Sequence, residues 1–244
     1  MSKLWTFGDS FVSPVNRCYD TEHYPEWHWV YQLGKKLGVS GLSGAALPGV
    51  SNEWISNQIM QNINNINKDD FIVIVTTGMH RRWFIKDKPT LSNLYIVNLH
   101  EHMSRDSYRA IDLYKQEFNE QHEFLSKIYY EQFLTWIRSV LEPYQYCLIP
   151  GFDATTLHHT SNNIPLVKAD EGEFIDGYDR KLFATWEGWD RRLSHLSECN
   201  HDVLSDKITR FFNTNELIDL STEFKKNLFT CKQDCLDYNL DISI

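Results

Sequence analysis

Short runs of consecutive apolar residues alternate along this chain with longer stretches in which apolar residues recur every three or four positions. The first pattern suits buried strands and the second suits helices with one apolar stripe. Leu4, Trp5 and Phe7 form the opening strand, turned at Gly8. Glu26 to Leu37 carries Trp27, Val30, Tyr31, Leu33 and Leu37 mostly on one stripe and predicts a helix stopped at Gly38. Small apolar residues from Val39 to Leu47 predict a second strand. Ser51 or Asn52 then caps a helix bearing Trp54, Ile55, Ile59, Ile63 and Ile66. Phe71 to Val75 is the clearest strand, all apolar between Asp69-Asp70 and Thr76-Thr77-Gly78, and should be central and covered on both faces. A helical region from about Ala110 to Leu141, ended by Pro143, precedes a fourth strand over Tyr146 to Pro150. Glu173 to Asp176 predicts a short fifth strand, and Val203, Leu204 and Ile208 mark a last amphipathic helix.

That alternation of strand and helix implies a parallel sheet wrapped by helices. We expect one domain over 1–244, with insertions at 84–107 and 153–172, where no clean period survives and polar residues collect. No internal repeat or low-complexity linker divides the chain.

Composition narrows the function. Of the 244 residues, 42% are hydrophobic and 14% aromatic, enough for a packed core rather than a disordered chain. A net charge of −9 offers no basic field for phosphate backbones or anionic lipid, so general nucleic-acid and membrane binding are not expected. No signal peptide is visible and no apolar run approaches the roughly 20 residues that span a bilayer, so we expect a cytoplasmic protein. The five cysteines form no disulfide framework, which suits a reducing compartment. Cys231 and Cys235 lack a second close pair, and His80, His100 and His102 match no ligand spacing, so no metal and no cofactor are expected.

Candidate chemistry begins where the first strand ends, at Phe7-Gly8-Asp9-Ser10. A serine at the carboxyl end of a parallel strand stands where loops converge and helix N-termini offer free N–H groups, although Gly-Asp-Ser by itself is also an ordinary turn. A second block lies far away: His195, just before the last helix. Phe-Gly-Asp-Ser and this histidine block together resemble the GDSL-type or SGNH hydrolases. Within that resemblance Ser10 is the nucleophile and His195 the base. The run Gly49-Val50-Ser51-Asn52 resembles the family's second block, which makes the Gly49 amide an oxyanion donor beside the amide of Ser10, with Gly44 as a competitor. The phrase around Ser10 and this second block look most like the divergent SGNH proteins of tailed bacteriophages.

Two departures from the family's pattern stand out. Gly78-Met79-His80 occupies the place of the third block, so His80 replaces an asparagine that donates to the oxyanion, a bond an imidazole can also donate. Arg192 stands where the triad aspartate is expected. Asp190, five residues ahead, is the nearest carboxylate before His195, and a Ser10–His195 dyad is the alternative. Asp9, Asn52, Arg81 and Arg82 are candidate substrate-binding residues, the arginines for an anionic group, although adjacent arginines after a strand are more often solvated or paired with carboxylates.

The resemblance and the element order imply an α/β fold: a three-layer α/β/α sandwich with a parallel sheet of about five strands, flavodoxin-like in arrangement. The implied activity is that of a serine esterase or deacylase acting on a small-molecule or carbohydrate ester, such as an O-acetyl group, through an acyl-enzyme on Ser10. An acyltransferase on the same scaffold and a catalytically inactive binding or virion-associated protein are the alternatives.

Overall fold

The structure, a computed structural model, describes residues 2–13, 24–79, 81–83, 109, 112–113, 121–149, 198–214 and 223. Four parallel strands form one sheet: β1 (Leu4–Gly8), β2 (Leu42–Ala46), β3 (Phe71–Val75) and β4 (Gln145–Ile149), in the order β2-β1-β3-β4. Between and after them run α1 (Trp29–Leu37), α2 (Asn52–Asn62), α3 (His122–Leu141) and α4 (Glu198–Thr214). The parallel sheet and its helices are those that the alternating pattern implies. The expected fifth strand at Glu173 to Asp176 and both expected insertions lie outside the described residues.

Strand register follows from the apolar runs. Trp5 lies between Ser43 of β2 and Ile72 of β3, and Val73 pairs with Cys147. Because successive strand side chains point to opposite faces, the sheet feeds two separate apolar clusters. Leu4, Val73, Val75, Cys147 and Ile149 pack with Trp29, Val30 and Leu33 of α1 and with Leu204, Ile208 and Phe211 of α4. Trp5, Phe7, Ile72, Ile74 and Leu148 pack with Ile55 and Ile59 of α2 and with Leu134, Ile137 and Leu141 of α3. Right-handed crossovers explain this division. The chain moves outward from β1 to β2, then reverses across β1 to reach β3, so the helix after the reversal must cover the other face. Each fully buried Leu or Ile contributes roughly 1.5–3 kcal/mol relative to exposure, and the inner strands are buried almost throughout.

Local chemistry moves two predicted boundaries. α1 starts at Trp29 rather than Glu26, because His28 takes the N-cap: its Nδ1 accepts the Val30 N–H at 3.2 Å. At the other end Gly38 closes the helix as expected, donating its N–H to the carbonyls of Gly34 and Lys35. The second strand covers only Leu42–Ala46 of the expected Val39–Leu47. Gly44 is required in its centre: φ is 126°, and a Cβ there would lie 1.9 Å from the Thr6 carbonyl oxygen.

The face carrying α1 and α4 also holds a polar seam. His201, in the first turns of α4, is buried and accepts the Trp29 N–H on Nδ1 at 3.1 Å, with its ring 4.8 Å from that of His28. Toward solvent, Lys36 of α1 pairs with Asp202 and Asp206 of α4, both at 2.7 Å. Among the described residues no helix is long and apolar enough to cross a membrane.

Candidate active site at the carboxyl edge of the sheet

All four strands run the same way, so the segments that follow them emerge at one edge. The reversal of chain direction falls between β1 and β3, the switch point that is the usual ligand position of an open parallel sheet. Asp9 and Ser10 leave β1 on one side of that point; Thr76 to Trp83 leave β3 on the other. The loop from Leu47 to Ser51 joins them from β2, since the Leu47 N–H bonds the Gly8 carbonyl at 3.3 Å.

The turn that carries Ser10 is held from within. The Asp9 carbonyl accepts the N–H groups of Val12 (3.1 Å) and Ser13 (3.0 Å), and its Oδ1 accepts that of Phe11 at 3.1 Å. Trp29 of α1 adds an outside tie, donating its indole N–H to the Phe11 carbonyl at 2.8 Å. Ser10 itself is 8% exposed, and its hydroxyl makes no hydrogen bond among the described residues.

Around it the side chains are bonded to one another. Asp9 is fully buried, and its Oδ2 accepts Arg81 Nη1 at 2.8 Å and the Thr77 hydroxyl at 3.1 Å. Arg81 Nη1 also donates to Thr77 Oγ1 and, at 3.4 Å, to the Val50 carbonyl. Asn52 clamps the backbone of Thr77: its Nδ2 donates to the Thr77 carbonyl at 2.9 Å, and its Oδ1 accepts the Thr77 N–H at 3.0 Å. Ser51, not Asn52, caps α2 by accepting the Trp54 N–H. The three loops are thus cross-linked by one buried ion pair and one amide clamp. Asp9, Arg81 and Asn52, expected as substrate contacts, meet each other and the backbone in the wall of the site.

The same edge carries donors suited to developing negative charge. Gly49 stands in the turn after β2 with φ 77°, and its amide makes no hydrogen bond among the described residues. α2 begins three residues later and turns its N-terminus to this edge. Gly44, the competing donor, lies inside β2 opposite Thr6 and not in the turn. Arg82 is buried at 8% exposure; its Nη1 donates to Glu53 Oε1 at 3.1 Å and to the Arg81 carbonyl at 3.3 Å. It borders a cavity of about 190 Å³. Among the described residues no group of three or more His, Cys, Asp or Glu is arranged to hold a metal ion.

Six of the sequence candidates therefore converge on one edge: Asp9, Ser10, Gly49, Asn52, Arg81 and Arg82. His80, His195 and Asp190 lie outside the described residues. Thr77, Glu53 and the Val50 carbonyl escaped sequence reasoning. Thr77 signalled only that a strand had ended, and nothing local marks its hydroxyl as the partner of a carboxylate 68 residues earlier. No protein-family model matches the chain, and no curated protein matches it.

Proposed function

We propose that the chain is a serine esterase or deacylase of the SGNH type, built as a three-layer α/β/α sandwich, with Ser10 as its nucleophile and His195 as its base. What carries this reading is the setting of Ser10. It stands on a turn at the β1–β3 switch point, and its hydroxyl makes no hydrogen bond among the described residues, while Asp9, Asn52, Thr77 and Arg81 are bonded to one another. A nucleophile needs that combination: a backbone that fixes the oxygen, and an oxygen left available to a base and an acyl carbon.

In the proposed reaction, His195 takes the Ser10 proton as Oγ attacks the ester carbonyl. The negative charge on the carbonyl oxygen receives N–H bonds from the amides of Ser10 and Gly49, with His80 as a third donor. Collapse expels the alcohol, which leaves with the proton held by His195. Water, deprotonated by the same imidazole, then cleaves the acyl-serine, releasing the acid and restoring Ser10. Asp190 is proposed to hold the imidazole in the tautomer this requires. An alcohol in place of water makes the same intermediate a transferase, which product analysis with hydroxylated acceptors detects.

The test is covalent labelling. A fluorophosphonate probe should modify the wild-type protein at Ser10, located by peptide mass spectrometry, and should leave Ser10→Ala unmodified. A folded wild-type protein that resists the probe and hydrolyses no activated aryl ester removes the nucleophile assignment and leaves the non-catalytic binding reading.

A further inference from the structure

The two neighbouring arginines of the β3 loop are used differently. Arg81 is committed to Asp9, Thr77 and Val50 within the wall. Arg82 is more deeply buried, yet among the described residues only Nη1, at one corner of its guanidinium, is hydrogen-bonded, to Glu53 and the Arg81 carbonyl. Its Nε and Nη2 are buried and have no hydrogen-bond partner among the described residues. Those two nitrogens form the side-on fork, the pair of parallel N–H donors that matches the two oxygens of a carboxylate or phosphate. Leaving such donors unbonded in the interior is costly, and native structures rarely do so without a reason.

The surroundings of Arg82 suit a ligand group. Arg82 lines the cavity of about 190 Å³ together with Asn52, Glu53, Met79, Tyr129 and Gln132. Its guanidinium carbon lies 4.7 Å from the centre of the Tyr129 ring, a stacking contact that holds the plane in place. Glu53 sits at the rim, and its half-exposed carboxylate bonds the end of the guanidinium away from the fork. Both free nitrogens are shielded from water, so the fork is reached when a neighbouring side chain moves; Tyr129 and Glu53, each more than two-fifths exposed, have the room.

We infer that Arg82 is the receptor for an oxyanion, a carboxylate or phosphate carried by the substrate, bound side-on through Nε and Nη2. This rests on the esterase reading and deepens it: the preferred ester bears a negative charge on the part that enters the Arg82 cavity. Glu53 opposes the anion by charge and shares its receptor, so the two act in opposite directions on affinity.

The experiment has a binding arm and a kinetic arm. Succinate and inorganic phosphate are titrated into Ser10→Ala protein by calorimetry at constant ionic strength, so that no turnover intervenes. In parallel, kcat/KM is compared on wild-type enzyme for 4-nitrophenyl acetate and mono-4-nitrophenyl succinate. We expect saturable binding of at least one anion, weakened tenfold or more by Arg82→Lys, which keeps the charge and loses the fork, and strengthened several-fold by Glu53→Gln. The succinate ester should be preferred by about tenfold, and Arg82→Lys should abolish that preference. If neither anion binds, or if Glu53→Gln leaves affinity unchanged, the inference is wrong; the second result stands even if Arg82 variants fail to fold. Hydrolysis of both esters without anion binding overturns the anion site and keeps the esterase. Anion binding without hydrolysis of any ester does the reverse.

Discussion

Two buried aspartates stand at opposite edges of the same sheet and solve the burial of a charge in different ways. Asp70, at the amino edge just before β3, accepts only neutral donors: the Lys3 N–H at 2.8 Å on Oδ1, and the Trp5 indole N–H and the Asn67 N–H, each at 2.9 Å, on Oδ2. Asp9, at the carboxyl edge just after β1, accepts a guanidinium, a hydroxyl and one amide. Asp70 fastens the starts of β1 and β3 to each other. Asp9 fastens the ends of the same strands through a cation and so fixes the loop carrying Ser10 beside the loop carrying Arg81 and Arg82. At the amino edge neutral N–H donors hold the carboxylate. At the carboxyl edge a cation and a hydroxyl of the β3 loop hold it and tie that loop to the Ser10 turn.

The largest effect should come from the carboxyl edge. Ser10→Ala is expected to reduce hydrolysis of an activated aryl ester by on the order of 10³-fold or more, because in the proposed reaction nucleophile and base act as a unit. Its melting temperature should stay near that of wild type, since the hydroxyl makes no hydrogen bond to lose among the described residues. Asp9→Asn comes next. It keeps the shape but leaves Arg81 without its carboxylate, and denaturant unfolding should show a loss of about 3 kcal/mol. Adding Arg81→Met removes the stranded cation and should recover much of that loss; failure to do so would mean the pair is not the tie between the loops.

At the amino edge, Asp70→Asn puts an NH₂ group among N–H donors and should cost about 2 kcal/mol, while activity per folded molecule stays at the wild-type level. A fall in kcat would erase the distinction between the edges. Acid sharpens the same contrast. Burial alone raises the Asp70 carboxyl, but the N–H groups of Asn67 and Lys3 and the Trp5 indole outweigh it and hold the folded group below the ordinary range. The unfolded chain therefore takes up the proton first. The stabilisation from Asp70 is present above about pH 3.9 and is lost as pH falls through the folded value. Unfolding curves of wild type and Asp70→Asn should converge in that window and stay apart above it. The smallest effect sets the baseline away from both edges: Lys36→Met breaks ion pairs whose carboxylates, Asp202 and Asp206, are more than half exposed, and should cost less than about 1 kcal/mol, diminishing with salt.

Most of the elements were legible because each depends on local pattern. Five apolar residues in a row make Phe71–Val75 a strand in any context that buries both faces, and the stripe of Trp54, Ile55 and Ile59 predicts α2 and its apolar side together. The start of α1 was misplaced by three residues because its cap is a histidine, a residue not counted among the usual caps. Of the site, the position of Ser10 could be read from the strand that precedes it. The roles of Asp9, Asn52 and Arg81 could not. Each looked like a polar loop residue open to a ligand, and each is bonded to a partner 25 or 72 residues away.

By itself the sequence determined which segments are strands, which are helices, which residues each turns toward a core, and that a serine ends the first strand. Those properties follow from side-chain period and backbone preference over a few residues. The tertiary structure alone decided that β1 lies between β2 and β3, that the turn carrying Ser10 therefore stands at the switch point of the sheet, and that of two adjacent arginines one is bonded into the wall while Nε and Nη2 of the other have no hydrogen-bond partner among the described residues. Strand order and ion pairing join residues far apart in the chain, and the free energy that selects them belongs to the packed whole rather than to any local run.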